Sequence, residues 1–145
     1  MFIGRYNLPL DSQNRIMIPR CFRGPFSDGA FVTQGFDRDL LLLTNGVFCK
    51  IFQRVKTMNM TDPLARLLIR MILGNATKLE LNDTGYILVP QYLKEFANLE
   101  NEVVLVGQGD YFEIWAPALW HKQELQLLDA EANANRFAML DIATS

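Results

Sequence analysis

One stretch of this chain occurs twice, and the repetition constrains the fold more than any other feature. Asp11-Ser12-Gln13-Asn14-Arg15-Ile16-Met17-Ile18-Pro19 is matched in the second half by Asn82-Asp83-Thr84-Gly85-Tyr86-Ile87-Leu88-Val89-Pro90. Asp11 and Asn82 are both suited to an Asx turn, in which the side-chain oxygen accepts from backbone amides ahead of it. Asn14 and Gly85 both tolerate a positive φ. A β-branched run then follows and is stopped by proline in each copy. The copies differ in one chemical respect: where the first has Arg15, the second has Tyr86.

The repeat extends beyond the turn. Residues 2–10 alternate as a half-buried strand does, and residues 16–18 read as its hairpin partner across the Asp11 turn. A short helix or turn over 20–26 precedes strands at Ala30–Gln34 and 40–43, the latter four leucines that suit a strand buried on both faces. Asn45 is placed to cap a helix over 47–58. Asp62-Pro63 opens an apolar helix that Gly74-Asn75 ends, with Arg66 and Arg70 on its rim. The second half answers with strands at 78–81 and 87–89, a helix at Gln91–Phe96, strands at 103–106 and Tyr111–Trp115, and a helix from Pro117. A break after Asn133 and a last helix over 136–142 complete the chain. Neither unit is long enough to bury a full core, so the two are expected to interlock as a pseudo-two-fold pair. Trp115 and Trp120 have the spacing of core anchors.

Composition bounds the function. Half of the 145 residues are hydrophobic, which is globular rather than disordered usage. The opening MFIGRY has no signal-peptide pattern, and no apolar run reaches membrane-spanning length. Cys21 and Cys49 form neither a disulfide framework nor a metal spacing, and are expected to be buried free thiols. The net charge of −2 hides an asymmetry. Residues 1–72 carry ten Lys and Arg against five acids, net +5, and residues 73–145 carry four against eleven, net −7. That pattern points to a polyanion partner for the first half, or to head-to-tail contact between unlike halves.

Enzymatic constellations are missing from the sequence. His121 is the only histidine and reads as a surface helix residue, so a histidine metal site or a Ser-His-Asp triad has no support. Asp37 with Asp39, and Asp110 with Glu113, are better read as solvated or capping carboxylates than as catalytic pairs. Gly107-Gln108-Gly109 lacks the third glycine of a dinucleotide loop. No catalytic residue, metal site, cofactor or small-molecule substrate is expected.

The segments MFIGRYNLPLDSQNRIMIPRCFR, FVTQGFDRDLLLL, ILGNATKLELNDTGYILVP and VVLVGQGDYFEIWAPALW, in this order and spacing, resemble the MraZ family. The resemblance implies an α+β fold of tandem AbrB/SpoVT-like swapped-hairpin β-barrel modules forming an intrachain pseudo-dimer, with packed helices. The corresponding divisions are a first module over 1–60, a connecting helix over 61–76 and a second module over 77–145. It further implies a bacterial transcriptional regulator that binds double-stranded DNA at short tandem repeats upstream of the division and cell-wall gene cluster. Such a regulator would assemble as a homo-oligomeric ring and lie in the cytoplasm on the nucleoid.

Carried over by residue, the DNA-facing arginine is Arg15 with Asp11, and the second motif is degenerate at Asn82 and Tyr86. Arg5, Arg20 and Arg23 are candidate phosphate contacts. The second module would reach DNA through Lys78, Lys94 or the Tyr86 hydroxyl, or leave the reading to the first. Two uses of Arg15 stay open: its fork can take a guanine edge or a phosphate, or it can pair structurally with Asp11. The rival function is a ring-forming assembly protein on the same fold with weakened DNA binding.

Overall fold

The computed structural model describes residues 1–140 and residue 142. The strands are β1 (Arg5–Pro9), β2 (Arg15–Met17), β3 (Ala30–Gln34), β4 (Leu40–Thr44), β5 (Thr77–Leu79), β6 (Tyr86–Leu88), β7 (Glu102–Gly107) and β8 (Tyr111–Trp115). The helices are α1 (Asn45–Val55), α2 (Pro63–Ile72), α3 (Gln91–Phe96), α4 (Pro117–Leu127) and α5 (Ala130–Arg136), with two 3-10 turns at Arg20–Phe22 and Gly24–Phe26. All strand pairing is antiparallel, and the class is α+β as the sequence implies.

The two halves are threaded through one another. The six-stranded sheet runs β1-β7-β8-β4-β3-β5, and β2 pairs with β6 in a separate two-stranded ribbon. The first half thus lends β1 to the β7–β8 hairpin, and the second lends β5 to the β3–β4 hairpin. In the ribbon the equivalent residues Ile16 and Ile87 stand directly opposite, as a local two-fold requires.

This corrects the expected local hairpin. β2 does not pair with β1; β1 pairs with β7 from Arg5↔Val106 to Pro9↔Glu102. The Asp11 turn does form, closed by Asn14 N to Asp11 O at 3.0 Å and Asp11 N to Arg15 O at 3.0 Å. Beyond it the flanking strands diverge to partners in the other half. Alternation along a strand is satisfied equally by either partner, so the local pattern does not choose between them.

The main core lies between the sheet and the ribbon. Ile16, Ile18, Ile87 and Val89 meet Leu40, Leu42, Leu105, Phe112 and Ile114, all almost fully buried. Phe2, Phe22 and Phe26 from the first half gather around Phe112 of the second, with ring centroids 4.6 Å (Phe2) and 5.1 Å (Phe22) from it. On the other face of the sheet Trp115 and Trp120 pack with Val104 and Val106, as anchors should. The four leucines of β4 are buried on both faces.

Helix ends follow local chemistry, with two adjustments. Asp62 caps α2, its carboxylate accepting from Leu64 N at 2.9 Å, and Pro63 sits in the first turn. α1 is capped by Thr44 rather than Asn45, because β4 runs straight into the helix and its last hydroxyl reaches Val47 N at 3.2 Å. The last helix is α5, ending at Arg136, not a helix over 136–142. Asp129 caps it, its carboxylate accepting from Ala132 N at 3.1 Å; of the expected span, Asp141 lies outside the described residues. Both cysteines are exposed rather than buried, one in the turn after Pro19 and one on α1. No helix among the described residues is long and apolar enough to cross a membrane.

One carboxylate pairing was not legible in sequence. Asp39 is 1% exposed, so of the two expected roles, solvated or capping, it takes the capping one. Its Oδ1 caps the turn by accepting from Asp37 N at 3.0 Å, while Oδ2 is buried with no hydrogen-bond partner; Glu113 on β8 is a neighbour of the Asp39 side chain. Neighbouring carboxylates disfavour each other's charge, which favours a proton on Glu113. Burial first, then the Asp39 contact, push Glu113 up to about 7, against the lowering effect of the Trp115 indole, with Asp39 and Asp37 adding charge repulsion. Tyr111 also borders the pair and is itself raised by burial, Glu113 and Asp39. A carboxyl whose folded pKa is raised binds its proton more tightly when folded. Its contribution is therefore complete below the ordinary value of 4.5 and is lost as pH rises through about 7. Thermal melts between about pH 5 and about pH 8 should show Tm falling as pH rises. Glu113→Gln should flatten that slope; an unchanged slope would show that the Glu113 proton is not its source.

Candidate nucleic-acid interface

The ribbon has two unlike faces because its side chains alternate. Ile16 and Ile87 point into the core, while Arg15, Met17, Tyr86 and Leu88 point away from it. Met17 is 41% and Leu88 53% exposed.

Arg15 is held by the turn that precedes it. Asp11 Oδ1 accepts from the amides of Gln13 at 2.9 Å and Arg15 at 2.8 Å. Asp11 Oδ2 accepts from Arg15 Nε at 2.9 Å. Asn14 makes the geometry possible at φ +61°. Burial works against the Asp11 charge, but the Arg15 amide, the Arg15 side chain and the Gln13 amide together hold its pKa below the usual range. Both uses left open for Arg15 are therefore compatible. The pairing with Asp11 consumes only Nε, and among the described residues neither Nη has an acidic partner.

Tyr86 is more than a lost cation. Its ring lies 4.8 Å from the Arg15 guanidinium carbon, so it is a platform on which the arginine rests. The second turn repeats the first: Asn82 Oδ1 accepts from Thr84 N at 3.1 Å and Tyr86 N at 2.9 Å, and Gly85 takes φ +86°. Sequence comparison of the two copies shows only the substitution; that Tyr86 touches Arg15 follows from the pairing of β2 with β6.

The other basic candidates separate into two groups. Arg20 and Arg23 line the same concavity as Arg15, and Arg23 Nε donates to Ile18 O at 2.8 Å. Arg5 lies on the opposite face of β1, where Nη1 donates to Glu124 at 2.8 Å and the guanidinium sits 5.7 Å from the Trp120 ring. Lys94 donates to Asn14 Oδ1 at 2.8 Å, and Lys78 is exposed on the edge strand β5. His121 is exposed, 3.5 Å from Glu124. No cluster of metal-ligating residues occurs among the described residues.

A two-stranded antiparallel ribbon presenting one arginine held at Nε is a shape that a DNA major groove admits. Comparison with known proteins agrees in kind. A family model described as "MraZ protein, putative antitoxin-like" matches residues 1–71 and again residues 72–141. The chain belongs to the MraZ family. A relative named Transcriptional regulator MraZ from Roseiflexus castenholzii is 38% identical over 95% of this chain and 94% of its own. Its namesake from Thermomicrobium roseum is 36% identical over 97% and 99%, and that from Clostridium acetobutylicum 33% over 98% and 100%. The double match of the MraZ model follows the internal repeat, and the interlocked strands are what join its two copies.

Proposed function

We propose that this MraZ-family chain is a sequence-specific DNA-binding transcriptional regulator that reads DNA with the outer face of the β2–β6 ribbon. The observation that carries the reading is Arg15 tied at Nε to Asp11, with neither Nη in an ion pair among the described residues. Arginine in this state can take the O6 and N7 edge of guanine. Arg20 and Arg23 flank it as phosphate contacts. Arg5 joins them only by exchanging Glu124 for a phosphate, so its substitution should cost less affinity than that of Arg20 or Arg23.

The target in this proposal is a set of short tandem repeats upstream of the division and cell-wall gene cluster, engaged by a ring of chains in the cytoplasm, on the nucleoid. One arginine per subunit discriminates by only about 1–3 kcal/mol, so repetition has to supply the remainder through effective concentration. Helix α2 favours assembly: it buries only Ala65 and Ile72, and Leu64 and Leu67 are 73% and 62% exposed. The opposite charges of the halves favour contact between unlike modules, taken as residues 1–60 and 77–145 joined through 61–76. Those exposed helix faces equally suit the rival reading, a ring-forming scaffold with little use for DNA.

Fluorescence anisotropy on the DNA upstream of the chain's own gene, against a scrambled control at two salt concentrations, tests the proposal. Repeat-dependent binding supports it. Binding indifferent to sequence and falling steeply with salt would leave only phosphate attraction and favour the scaffold. Tyr86→Arg separates the two further. It adds a second cation to the ribbon face but removes the ring on which Arg15 rests, so the readout is the salt slope, which should steepen by about one if this face meets DNA. An unchanged slope would mean that this face does not meet DNA.

A further inference from the structure

Beside β2 lies a concavity of about 440 Å³, within the size range of small-molecule sites. Its walls are apolar: Tyr6, Leu8, Met17, Ile18 and the Tyr86 ring. Its rim carries Arg15, Arg20 and Arg23, and its one carboxylate, Asp11, is already committed to the Arg15 turn. Among the described residues none of the three guanidinium ends has a further acidic partner. The groove is thus an apolar body with an anion-seeking rim.

The internal repeat shows why only one half is built this way. The counterparts of Arg20 and Arg23 are Gln91 and Lys94, and both are fastened by Asn14: Asn14 Nδ2 donates to Gln91 at 3.0 Å, and Lys94 donates to Asn14 Oδ1 at 2.8 Å. The counterpart of Asn14 is Gly85, which has no side chain to fasten the arginines. A Cβ there would strike Arg23 Cζ and Nε, so the glycine also gives Arg23 its position. Likewise the counterpart of Cys21 is Tyr92, whose hydroxyl donates to Asn75 O at 2.8 Å and lies 2.7 Å from Thr77 Oγ1, the Tyr6 equivalent. In the first half the pair is reversed: the tyrosine is Tyr6, which lines the groove, and Cys21 is short and exposed.

We propose that this groove binds a small amphipathic anion, an alkyl or aryl phosphate monoester, with its chain against Leu8, Met17 and Tyr86 and its phosphate among Arg15, Arg20 and Arg23. Guanidinium forks match phosphate oxygens, and the apolar walls require a ligand that inorganic phosphate cannot replace. Because Arg15 serves both ligand and DNA, occupancy releases the protein from its repeats; this regulatory consequence rests on the DNA-binding reading above.

Isothermal titration of the full chain with decyl phosphate, below its micelle concentration, tests the site without DNA. One saturable site per chain is expected, about tenfold weaker or worse in Met17→Trp, which fills the groove, and in the Arg20→Gln/Arg23→Gln double variant. Inorganic phosphate and decanol should each bind at least about tenfold more weakly than decyl phosphate. Decyl phosphate should also displace the upstream DNA in anisotropy. Absence of saturable binding, as when a second copy covers the groove, would overturn the proposal. So would equal binding by both variants, or by inorganic phosphate. The expected titration pattern in a protein that ignores its DNA would uphold the site and refute only the regulatory link.

Discussion

Arg15→Ala should abolish repeat-specific DNA binding while leaving the fold intact. Losing one bidentate base contact costs about 1–3 kcal/mol per engaged subunit, so on DNA carrying two or more repeats the loss should reach about a hundredfold or more. The fold should tolerate it because Asp11 still accepts from the Gln13 and Arg15 amides, and the ion pair removed is partly exposed, at 38% and 30% for the two side chains. Arg15→Lys sharpens the test. Lysine keeps the charge but has neither the Nε that Asp11 grips nor a planar fork. It should retain salt-dependent affinity while losing the preference for repeats over scrambled DNA. Full repeat binding by Arg15→Ala, with an unchanged melting temperature, would remove the first module from DNA recognition.

The second large effect is on stability. Phe112→Ala should cost about 3–5 kcal/mol, the range for emptying a buried phenylalanine site. That is a large share of the roughly 5–15 kcal/mol that holds a domain together. Phe112 is fully buried on a strand of the second half, yet its ring contacts are Phe2, Tyr6 and Phe22 of the first. Its loss should therefore weaken both halves together. Urea unfolding followed by far-UV circular dichroism and by the fluorescence of Trp115 and Trp120 should give coincident transitions, shifted equally in the variant. Separate transitions for the two probes would show that the modules fold independently, against the threading of β1 and β5 into opposite halves.

Particular elements show how far the sequence reached. The Asx turns at Asp11 and Asn82, the positive φ at Asn14 and Gly85, the buried leucine strand and the Asp62-Pro63 helix start were all legible, because each is settled by residues within one turn or strand of one another. The family was legible too, in the order and spacing of four segments. The neighbourhood of Asp39 and Glu113 was not, since the two are distant in sequence and come together only because β4 pairs with β8. The partner of β1 was hidden for the same reason, and so was the aromatic seat of Arg15.

By itself the sequence determined that this chain is a repeated β-turn-β plan carrying one arginine at a fixed place, because turn chemistry and hydrophobic alternation are local. The tertiary structure alone decided that β1 crosses to β7, that Tyr86 lies under Arg15, and that Gly85 makes room for Arg23 where Asn14 holds Gln91 and Lys94 in the other half. Those facts depend on which half supplies each strand's neighbour, and period-two alternation is satisfied by either choice.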